Sequence, residues 1–229
     1  MQRAVYGIIV AGGSGSRYGG DVPKQYLPLG TEGRVVLMYA IDALRGVCPD
    51  ANIRVVIAED MAQLWARLCA DAGYTSPQVV YGGATRWHSV RNALGTIEPH
   101  DGDIVLVHDG ARPAVPSAVV EAVVKAAIEH HAAVPAVAVT DSLRCVDDEG
   151  ISHAVDRSRY FAVQTPQGFD ATMLKQAYYA PYSPLFTDDA SVYEHTFALP
   201  VAMVPGSVSN IKITHAGDIE RICDVSHVK

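Results

Sequence analysis

The sequence predicts a single α/β domain: a Rossmann-like, mostly parallel twisted sheet with helices on both faces and one inserted β-hairpin. Strand-like runs alternate with helix-like segments, which is typical of a parallel sheet whose crossovers cover both faces. The 229 residues suffice for one sizeable domain, residues 1–229. A composition of 49% hydrophobic and 19% charged residues indicates a real core and excludes disordered, collagen-like and coiled-coil classes.

Each strand is predicted from a short apolar run, and each helix from apolar residues that recur at helical spacing. The predicted strands are residues 4–10, 53–58, 78–81, 103–108 and 133–139. The predicted helices are residues 36–44, 62–72, 89–96, 117–131 and 216–225.

An insertion interrupts this alternation at about residues 141–163. Two short alternating runs, residues 142–146 and 151–155, flank the turn sequence Asp-Asp-Glu-Gly, which predicts a β-hairpin. A two-stranded hairpin is only marginally stable alone in water. We therefore expect it to pack on a partner subunit, as the dimerisation arm of a homodimer.

Charge and cysteine content exclude several function classes. Lys and Arg number 18 against 25 Asp and Glu, a net charge of −7, which leaves no basic field for nucleic acid or anionic lipid. The 4 cysteines form no CxxC pair, which predicts reduced thiols. No apolar run approaches the roughly 20 residues that span a bilayer, and no signal-peptide pattern is present. We expect a cytoplasmic protein that binds neither nucleic acid nor membrane.

A glycine-rich segment, Ala-Gly-Gly-Ser-Gly-Ser-Arg at 11–17, directly follows the first predicted strand. Glycines let successive backbone N–H groups approach an anion, because no Cβ blocks them. Arg17 and Lys24 beside it favour a phosphate chain over the alternative, an ordinary tight turn. A dinucleotide fingerprint is excluded because it needs glycine where Tyr18 stands, and a Walker A loop because Lys24 follows proline.

Asp109, which directly follows a predicted strand, is the candidate carboxylate of this site. Carboxylates at strand ends in doubly wound sheets face the ligand crevice, and Mg²⁺ prefers such oxygens together with phosphate oxygens. The alternative is a helix-cap or turn carboxylate. Arg86 and Ser89 lie near the start of a predicted helix behind two glycines, where Ser89 and backbone N–H groups can meet a pyrimidine edge.

Several segments carry a family resemblance. VAGGSGSRYGGDVPKQYLPL at 10–29 resembles the signature of sugar-nucleotide pyrophosphorylases, and its Pro-Lys-Gln-Tyr run is similar to the cytidylyltransferase branch. Further segments match in order: GGATR with SV (82–86, 89–90), VHDGARP (107–113), DRS (156–158), QTPQ (164–167), TDDA (187–190) and NIKIT (210–214). Together they resemble the 2-C-methyl-D-erythritol 4-phosphate cytidylyltransferase family across nearly the whole chain.

The resemblance implies Mg²⁺-dependent transfer of the cytidylyl group of CTP to 2-C-methyl-D-erythritol 4-phosphate, with release of pyrophosphate, in the non-mevalonate route to isoprenoid precursors. It implies catalytic roles for Arg17, Lys24 and Lys212, with Lys212 on the last strand. It implies that the arm reaches into a neighbouring subunit. The implied nucleotide-binding residues are Ala11, Gly12, Gly13, Gly15, Gly82, Arg86, Ser89 and Asp109, with Asp109 also at the metal, and the implied acceptor-binding residues are Arg112, Ser142, Arg157, Thr165 and Thr187.

Two alternatives stay open. Ribitol 5-phosphate could replace the acceptor on the same fold, or the chain could be a non-catalytic nucleotide-binding homologue. The chain also departs from the family at two positions. It has Ala84 in the base-recognition segment, where the family often has an acidic or otherwise polar residue, and Ser209 before the NIKIT segment, where the family often has an acidic residue. Base contacts would then come from the backbone, and Asp109 would bind metal together with phosphates and water.

Overall fold

The computed structural model describes residues 3–13, 22–30, 32–215 and 217–226, with backbone alone for residues 223–226. The strands in this part of the chain are β1 (Val5–Ala11), β2 (Ile53–Ile57), β3 (Gln78–Tyr81), β4 (Ile104–Asp109), β5 (Ala132–Ala138), β6 (Arg144–Val146), β7 (Ser152–Ala154), β8 (Phe161–Val163), β9 (Gln167–Asp170) and β10 (Ala202–Pro205). The helices are α1 (Val36–Arg45), α2 (Ala62–Asp71), α3 (Arg86–Leu94), α4 (Ser117–His130), α5 (Ala171–Ala177), α6 (Asp189–Phe197) and α7 (Gly217–Ser226).

Eight of these described strands form one sheet, in the order β10-β5-β9-β4-β1-β2-β3, with β8 paired to β5. The pairs β1–β2, β1–β4, β2–β3 and β5–β10 are parallel. By contrast β9 is antiparallel to β4 and β5, and β8 is antiparallel to β5. The predicted α/β class with a mostly parallel sheet is therefore confirmed. The strand order reverses between β1 and β4, and ligands bind at such a reversal, outside the carboxyl ends of the strands.

Helices cover both faces of the sheet, as predicted. Successive residues of β1 point to opposite faces, so Ile9 packs in the core beneath α1, α2 and α4, while Ile8 packs in the core beneath α3, α5 and α6. Both side chains are fully buried. This two-sided burial explains why the strands are continuous apolar runs rather than alternating ones.

The structure adds five elements that the periodicity does not predict: β8, β9, β10, α5 and α6. It also begins α3 at Arg86, three residues before the predicted start, because Thr85 caps the helix by accepting a hydrogen bond from the His88 N–H at 3.3 Å. The placement of Lys212 on the last strand is wrong. The last strand ends at Pro205, and Lys212 lies in an irregular segment that is hydrogen-bonded to the β4–α4 connection through Ile213 N–H and Ala111 C=O at 2.9 Å.

A hairpin lies at the predicted insertion. Strands β6 and β7 pair antiparallel, outside the main sheet, with Cys145 opposite His153. The Asp147 carboxylate accepts hydrogen bonds from the N–H groups of Glu149 and Ile151 and so stabilises the turn. Val146 and Ile151 are exposed. Packing of this arm on a partner subunit stays a prediction.

In the described part of the chain, no helix is both long enough and apolar enough to cross a bilayer.

Candidate active site

Two cavities adjoin at the carboxyl ends of β1 and β4. The larger, about 440 Å³, lies against the loop after β1 and the start of α3. The smaller, about 260 Å³, lies against the β8–β9 connection and the start of α6. Arg86, Asp109 and Lys212 line both cavities. These three side chains are called the shared wall below.

The larger cavity takes its anion-binding character from the chain after β1. Ala11, Gly12 and Gly13 line it together with Lys24, which begins a 3₁₀ turn at Lys24–Tyr26. The buried Gln25 amide donates hydrogen bonds to the carbonyl oxygens of Ala11, at 2.7 Å, and Gly13, at 3.0 Å. Gln25 therefore holds the turn that bears Lys24 against the glycine segment. The Lys24 side chain and the backbone of Gly12 and Gly13 consequently line the same cavity.

The opposite side of the larger cavity is built by the turn between β3 and α3. Ser89 donates to the Thr85 carbonyl oxygen at 3.0 Å, and its hydroxyl oxygen accepts from the Gly83 N–H at 3.1 Å. A Cβ at Gly83 would lie 2.5 Å from the Cβ of His88, so the turn requires glycine there. Ala84 also lines this cavity. Since alanine offers no polar side-chain atom, the polar groups on this side of the cavity are backbone groups and the hydroxyls of Thr85 and Ser89.

Asp109 is the electrostatic centre of the shared wall. Its Oδ2 lies 2.9 Å from Lys212 Nζ and 3.3 Å from Arg112 Nε, and its Oδ1 lies 3.7 Å from Arg86 Nε. Burial alone would raise the pKa of Asp109, but Arg86, Lys212 and Arg112 outweigh burial and hold that pKa well below its usual range. Three cations contact Asp109, and one of them, Arg86, is also bonded to a second carboxylate, Asp189. These five side chains together carry one net positive charge, which suits a phosphate.

The donor set at Asp109 suits a magnesium ion that is bound mainly by substrate. No cluster of three His, Cys, Asp or Glu side chains able to hold a metal occurs among the described residues, and Asp109 is the one carboxylate among those that line the larger cavity. Its Oδ1 lies beyond hydrogen-bond distance from Arg86, so this oxygen keeps lone pairs available. Mg²⁺ commonly binds through one or two carboxylates together with substrate phosphates. The residues present therefore fit a phosphate-bound Mg²⁺.

The smaller cavity joins residues that are distant in sequence. Arg112, Thr165 and Thr187 line it together with Gln164 and Asp188. Arg112 Nη1 donates to the Asn210 carbonyl oxygen at 2.8 Å, and the buried Asn210 amide donates to the Thr165 carbonyl oxygen at 2.8 Å. These bonds hold the Lys212 segment against the β8–β9 connection.

His108 supports the cavities from behind. Its Nδ1 lies 3.0 Å from Thr165 Oγ1, and its Nε2 lies 3.0 Å from the Arg112 carbonyl oxygen. A carbonyl only accepts, so we assign the proton to Nε2, with Nδ1 accepting from Thr165. Burial lowers the pKa of His108 to about 4, although Asp109 opposes that shift. His108 is thus a neutral structural group near neutral pH.

This environment predicts an acid-sensitive fold. The His108 pKa is 6.5 in a solvated chain and about 4 in the fold, so the unfolded chain binds a proton that the folded chain excludes. The stability that His108 contributes is complete above pH 6.5 and is lost as the pH falls toward 4, which amounts to about 2 kcal/mol between about pH 7 and about pH 4.5. Urea unfolding at both pH values should show that the free energy of unfolding falls less with acidification in His108→Gln than in the wild-type protein. Identical pH dependence in the two proteins would contradict the assignment.

The structure gathers most of the predicted site residues. The larger cavity is lined by Ala11, Gly12, Gly13, Lys24, Arg86, Ser89, Asp109 and Lys212, and the smaller by Arg112, Thr165 and Thr187. Gly82 lies behind the lining, with its Cα near Gly12. Within the described residues, Ser142 and Arg157 line neither cavity, and the Arg157 guanidinium donates to the Thr140 carbonyl oxygen. Arg17 and Gly15 lie outside the described residues.

Sequence reasoning missed several residues that build the site without being ligands in any motif. Gln25 and Gln164 appear in the sequence only as members of motifs. In the structure their side-chain amides donate hydrogen bonds to backbone carbonyl oxygens and so hold neighbouring loops in place. Asn210 lies 45 residues from Thr165, whose carbonyl it binds. Asp189 lies 103 residues from Arg86, whose guanidinium it binds at 2.6 Å. Pairings of this range have no local signature.

Two adjoining cavities that share a charged wall, at the switch point of an α/β sheet, suit a nucleotidyltransferase, because charged groups there can hold two phosphates in reacting geometry. The family model described as 2-C-methyl-D-erythritol 4-phosphate cytidylyltransferase matches residues 5–223. The chain belongs to that family.

Curated relatives and solved structures agree. The chain is 43% identical over 221 residues to the 2-C-methyl-D-erythritol 4-phosphate cytidylyltransferase of Porphyromonas gingivalis, covering 96% of each protein. It is 42% identical over 214 residues to the enzyme of the same name from Bacteroides thetaiotaomicron, covering 93% of this chain and 95% of the relative. The fold is similar to the crystal structure of that enzyme from Thermus thermophilus, with a TM-score of 0.74, 31% identity and 100% of both chains covered.

Proposed function

We propose that this protein transfers the cytidylyl group of CTP to 2-C-methyl-D-erythritol 4-phosphate and releases pyrophosphate, a step of the non-mevalonate route to isoprenoid precursors. The observation that carries the proposal is the shared wall: Arg86, Asp109 and Lys212 line both cavities. A phosphate of each substrate can therefore meet the same charges. Family membership supplies the identity of the two substrates.

CTP occupies the larger cavity. Its triphosphate lies along the backbone of Ala11, Gly12 and Gly13, with Lys24 as the local cation. The cytosine lies toward Ser89 and the β3–α3 turn. Arg17 belongs to the same glycine segment in sequence and is proposed to contribute a second cation to the triphosphate.

The acceptor phosphate occupies the smaller cavity, bound by Arg112 and Lys212, while Thr187 donates its hydroxyl hydrogen bond and Thr165 lines the cavity. An oxygen of this phosphate attacks the α-phosphorus of CTP. The bond from that phosphorus to the oxygen bridging to the β-phosphate breaks in line, and the electron pair leaves with pyrophosphate. No covalent enzyme intermediate is needed, because the acceptor phosphate is already ionised near neutral pH. Catalysis consists of alignment and charge stabilisation.

Mg²⁺ is proposed to be held by triphosphate oxygens and Asp109. When bound, the ion neutralises charge on the phosphates and favours departure of pyrophosphate. Asp109 also sets the position of Lys212 through their 2.9 Å contact.

The arm is proposed to complete the acceptor site of a second copy. The inserted segment that contains Ser142 and Arg157 exposes several large apolar side chains, among them Tyr160 and Phe161, which are 48% and 45% exposed. Burying such side chains between two subunits removes apolar surface from water. The proposed active species is a cytoplasmic homodimer in which each arm supplies Arg157 to its partner.

A subunit-mixing measurement checks this arrangement. Lys24→Ala is expected to inactivate the nucleotide site of the subunit that carries it. Arg157→Ala is expected to inactivate the acceptor site of the partner subunit. When equal amounts of the two inactive proteins exchange subunits at random, about half of the dimers are mixed, and each mixed dimer has one intact site of its two. About one quarter of all sites should therefore regain activity. Each variant re-paired with itself is the control. Mixtures that stay inactive after verified exchange would show that Arg157 acts within its own subunit or not at all.

The reaction itself is tested by ³¹P NMR of the wild-type protein with CTP, Mg²⁺ and the methylerythritol phosphate. We expect two coupled diphosphate signals of a cytidine diphosphate ester together with free pyrophosphate in equal amount. Release of inorganic phosphate, or pyrophosphate without a new diphosphate ester, would contradict nucleotidyl transfer.

A further inference from the structure

A buried chain of side chains runs from the shared wall into the core and has no role in the reaction as described so far. Arg86 Nη2 donates to Asp189 Oδ2 at 2.6 Å. The other oxygen of Asp189, Oδ1, accepts from the Tyr178 hydroxyl at 2.6 Å. Asp189 is fully buried and Tyr178 is 2% exposed. Neither residue lines either of the two cavities described above, so neither is in contact with a substrate bound there.

Arg86 faces two carboxylates, and the two contacts are unequal. Its bond to Asp189 is a short charge-assisted hydrogen bond, whereas its nearest approach to Asp109 is 3.7 Å. The position of the guanidinium is therefore set mainly by Asp189. Burial would lower the pKa of Arg86, but Asp189 and Asp109 outweigh it and raise that pKa, so the group keeps its charge at the wall.

The surroundings of Asp189 are themselves fixed from three sides. Asp189 is the first residue of α6, whose start is capped by Asp188. Gln167 on β9 accepts from the Ala190 N–H at 3.0 Å and donates to the Asp188 carboxylate at 2.8 Å. The Tyr178 ring stacks on Trp87 of α3, with centroids 5.4 Å apart. A carboxylate held in this way can fix the position of the guanidinium that it binds.

The anchor also connects the two cavities. Thr187 and Asp188, which line the smaller cavity, directly precede Asp189, while Arg86 begins the helix behind the larger cavity. We propose that Asp189, oriented by Tyr178, is a positioning residue that fixes Arg86 in the shared wall and so keeps the nucleotide and acceptor cavities in register. This inference rests on the proposed function and assigns Asp189 no contact with substrate.

A pair of tyrosine variants separates positioning from simple packing. Tyr178→Phe removes the hydroxyl and keeps the ring on Trp87. Tyr193→Phe is the matched control, because Tyr193 is equally buried in the same core cluster but its hydroxyl meets only Met173 Sδ, at 3.9 Å, among the described residues. We expect Tyr178→Phe to lower kcat by about tenfold with KM for CTP changed less than about threefold, and Tyr193→Phe to leave kcat unchanged, since misplacement acts on alignment. Equal kcat values for the two variants would overturn the proposal.

A double-mutant cycle tests whether Asp189 acts through Arg86. Asp189→Asn and Arg86→Met alone are each expected to lower kcat by about 10- to 100-fold. In the Arg86→Met background, Asp189→Asn should then add less than about twofold, because there is no guanidinium left to position. Multiplying effects would overturn the proposal. The tyrosine pair decides the question where Asp189→Asn does not fold, and the wild-type protein in the same assay reports separately on the proposed reaction.

Discussion

Replacing Lys212 with methionine is expected to lower kcat by about 10²- to 10³-fold, the loss typical when one preorganised charge-stabilising group is removed. Lys212 lines both cavities and lies in an irregular segment held by Asn210 and Arg112. Its side chain is 40% exposed and lines both cavities, so under the proposed function its ammonium group can contact the phosphates of both substrates. Because charge redistributes over the transferring group in the transition state, we expect kcat to fall far more than the affinity for CTP.

Methionine keeps the aliphatic stem of the lysine, so the fold should survive. Lys175→Met on α5 is the matched control, since Lys175 also has charged and carbonyl partners, Glu98 and Ile97, but lies outside both cavities. Steady-state kinetics of both variants provide the measurement. A kcat for Lys212→Met within a few fold of the control would remove Lys212 from the mechanism.

Asp109→Asn is expected to damage both activity and stability. The carboxylate is 7% exposed and faces Arg86, Arg112 and Lys212. Removing its charge leaves Arg112 and Lys212 without the carboxylate that they contact, while Arg86 keeps its bond to Asp189. Breaking a buried pair in this way costs about 3 to 5 kcal/mol. It also removes the group that orients Lys212 and the proposed protein ligand to Mg²⁺, so kcat should fall by about 10²-fold or more.

Asp103→Asn provides the matched comparison for this effect. Asp103 directly precedes β4, is 6% exposed, and accepts hydrogen bonds from the N–H groups of Ala4 and His100, both at 2.8 Å. Its replacement should lower the free energy of unfolding without lowering kcat in folded protein. Chemical unfolding together with kinetics distinguishes the two sites. Equal losses of kcat in both variants would show that Asp109 matters only for folding.

The predictable part of the fold is the part whose pattern is local. Strands β1, β2, β4 and β5 are largely buried on both faces and therefore appear as apolar runs, whereas β3 is an exposed edge strand that its short apolar run still predicts. The predicted ends of all five strands lie within one residue of the observed ends. By contrast β9 is only Gln-Gly-Phe-Asp, without a β-branched residue, and it exists because β4 and β5 pair with it on either side. The alternation of Ile211 and Ile213 suggests a strand. The Ile213 N–H instead donates to the carbonyl oxygen of Ala111, which lies in the β4–α4 connection and not in a strand.

In the site, too, the sequence predicts the residues with a local signal and misses those placed by tertiary packing. Lys24, Asp109 and Arg112 follow strands or glycine segments, where position in the chain predicts position in the crevice. The clamps Gln25 and Asn210, and the anchor Asp189, act through partners brought together only by tertiary packing. The sequence shows that these residues can form hydrogen bonds, but it does not show which residues they contact.

The acceptor comparison tests the central claim most directly. Pyrophosphate release is measured with CTP and Mg²⁺, in parallel with 2-C-methyl-D-erythritol 4-phosphate and D-ribitol 5-phosphate at equal concentrations. We predict rapid release with the first acceptor and a kcat/KM lower by at least about 10²-fold with the second, because polar groups left unpaired in a built site are costly. Preference for ribitol phosphate, or no release with either acceptor, would contradict the proposed function.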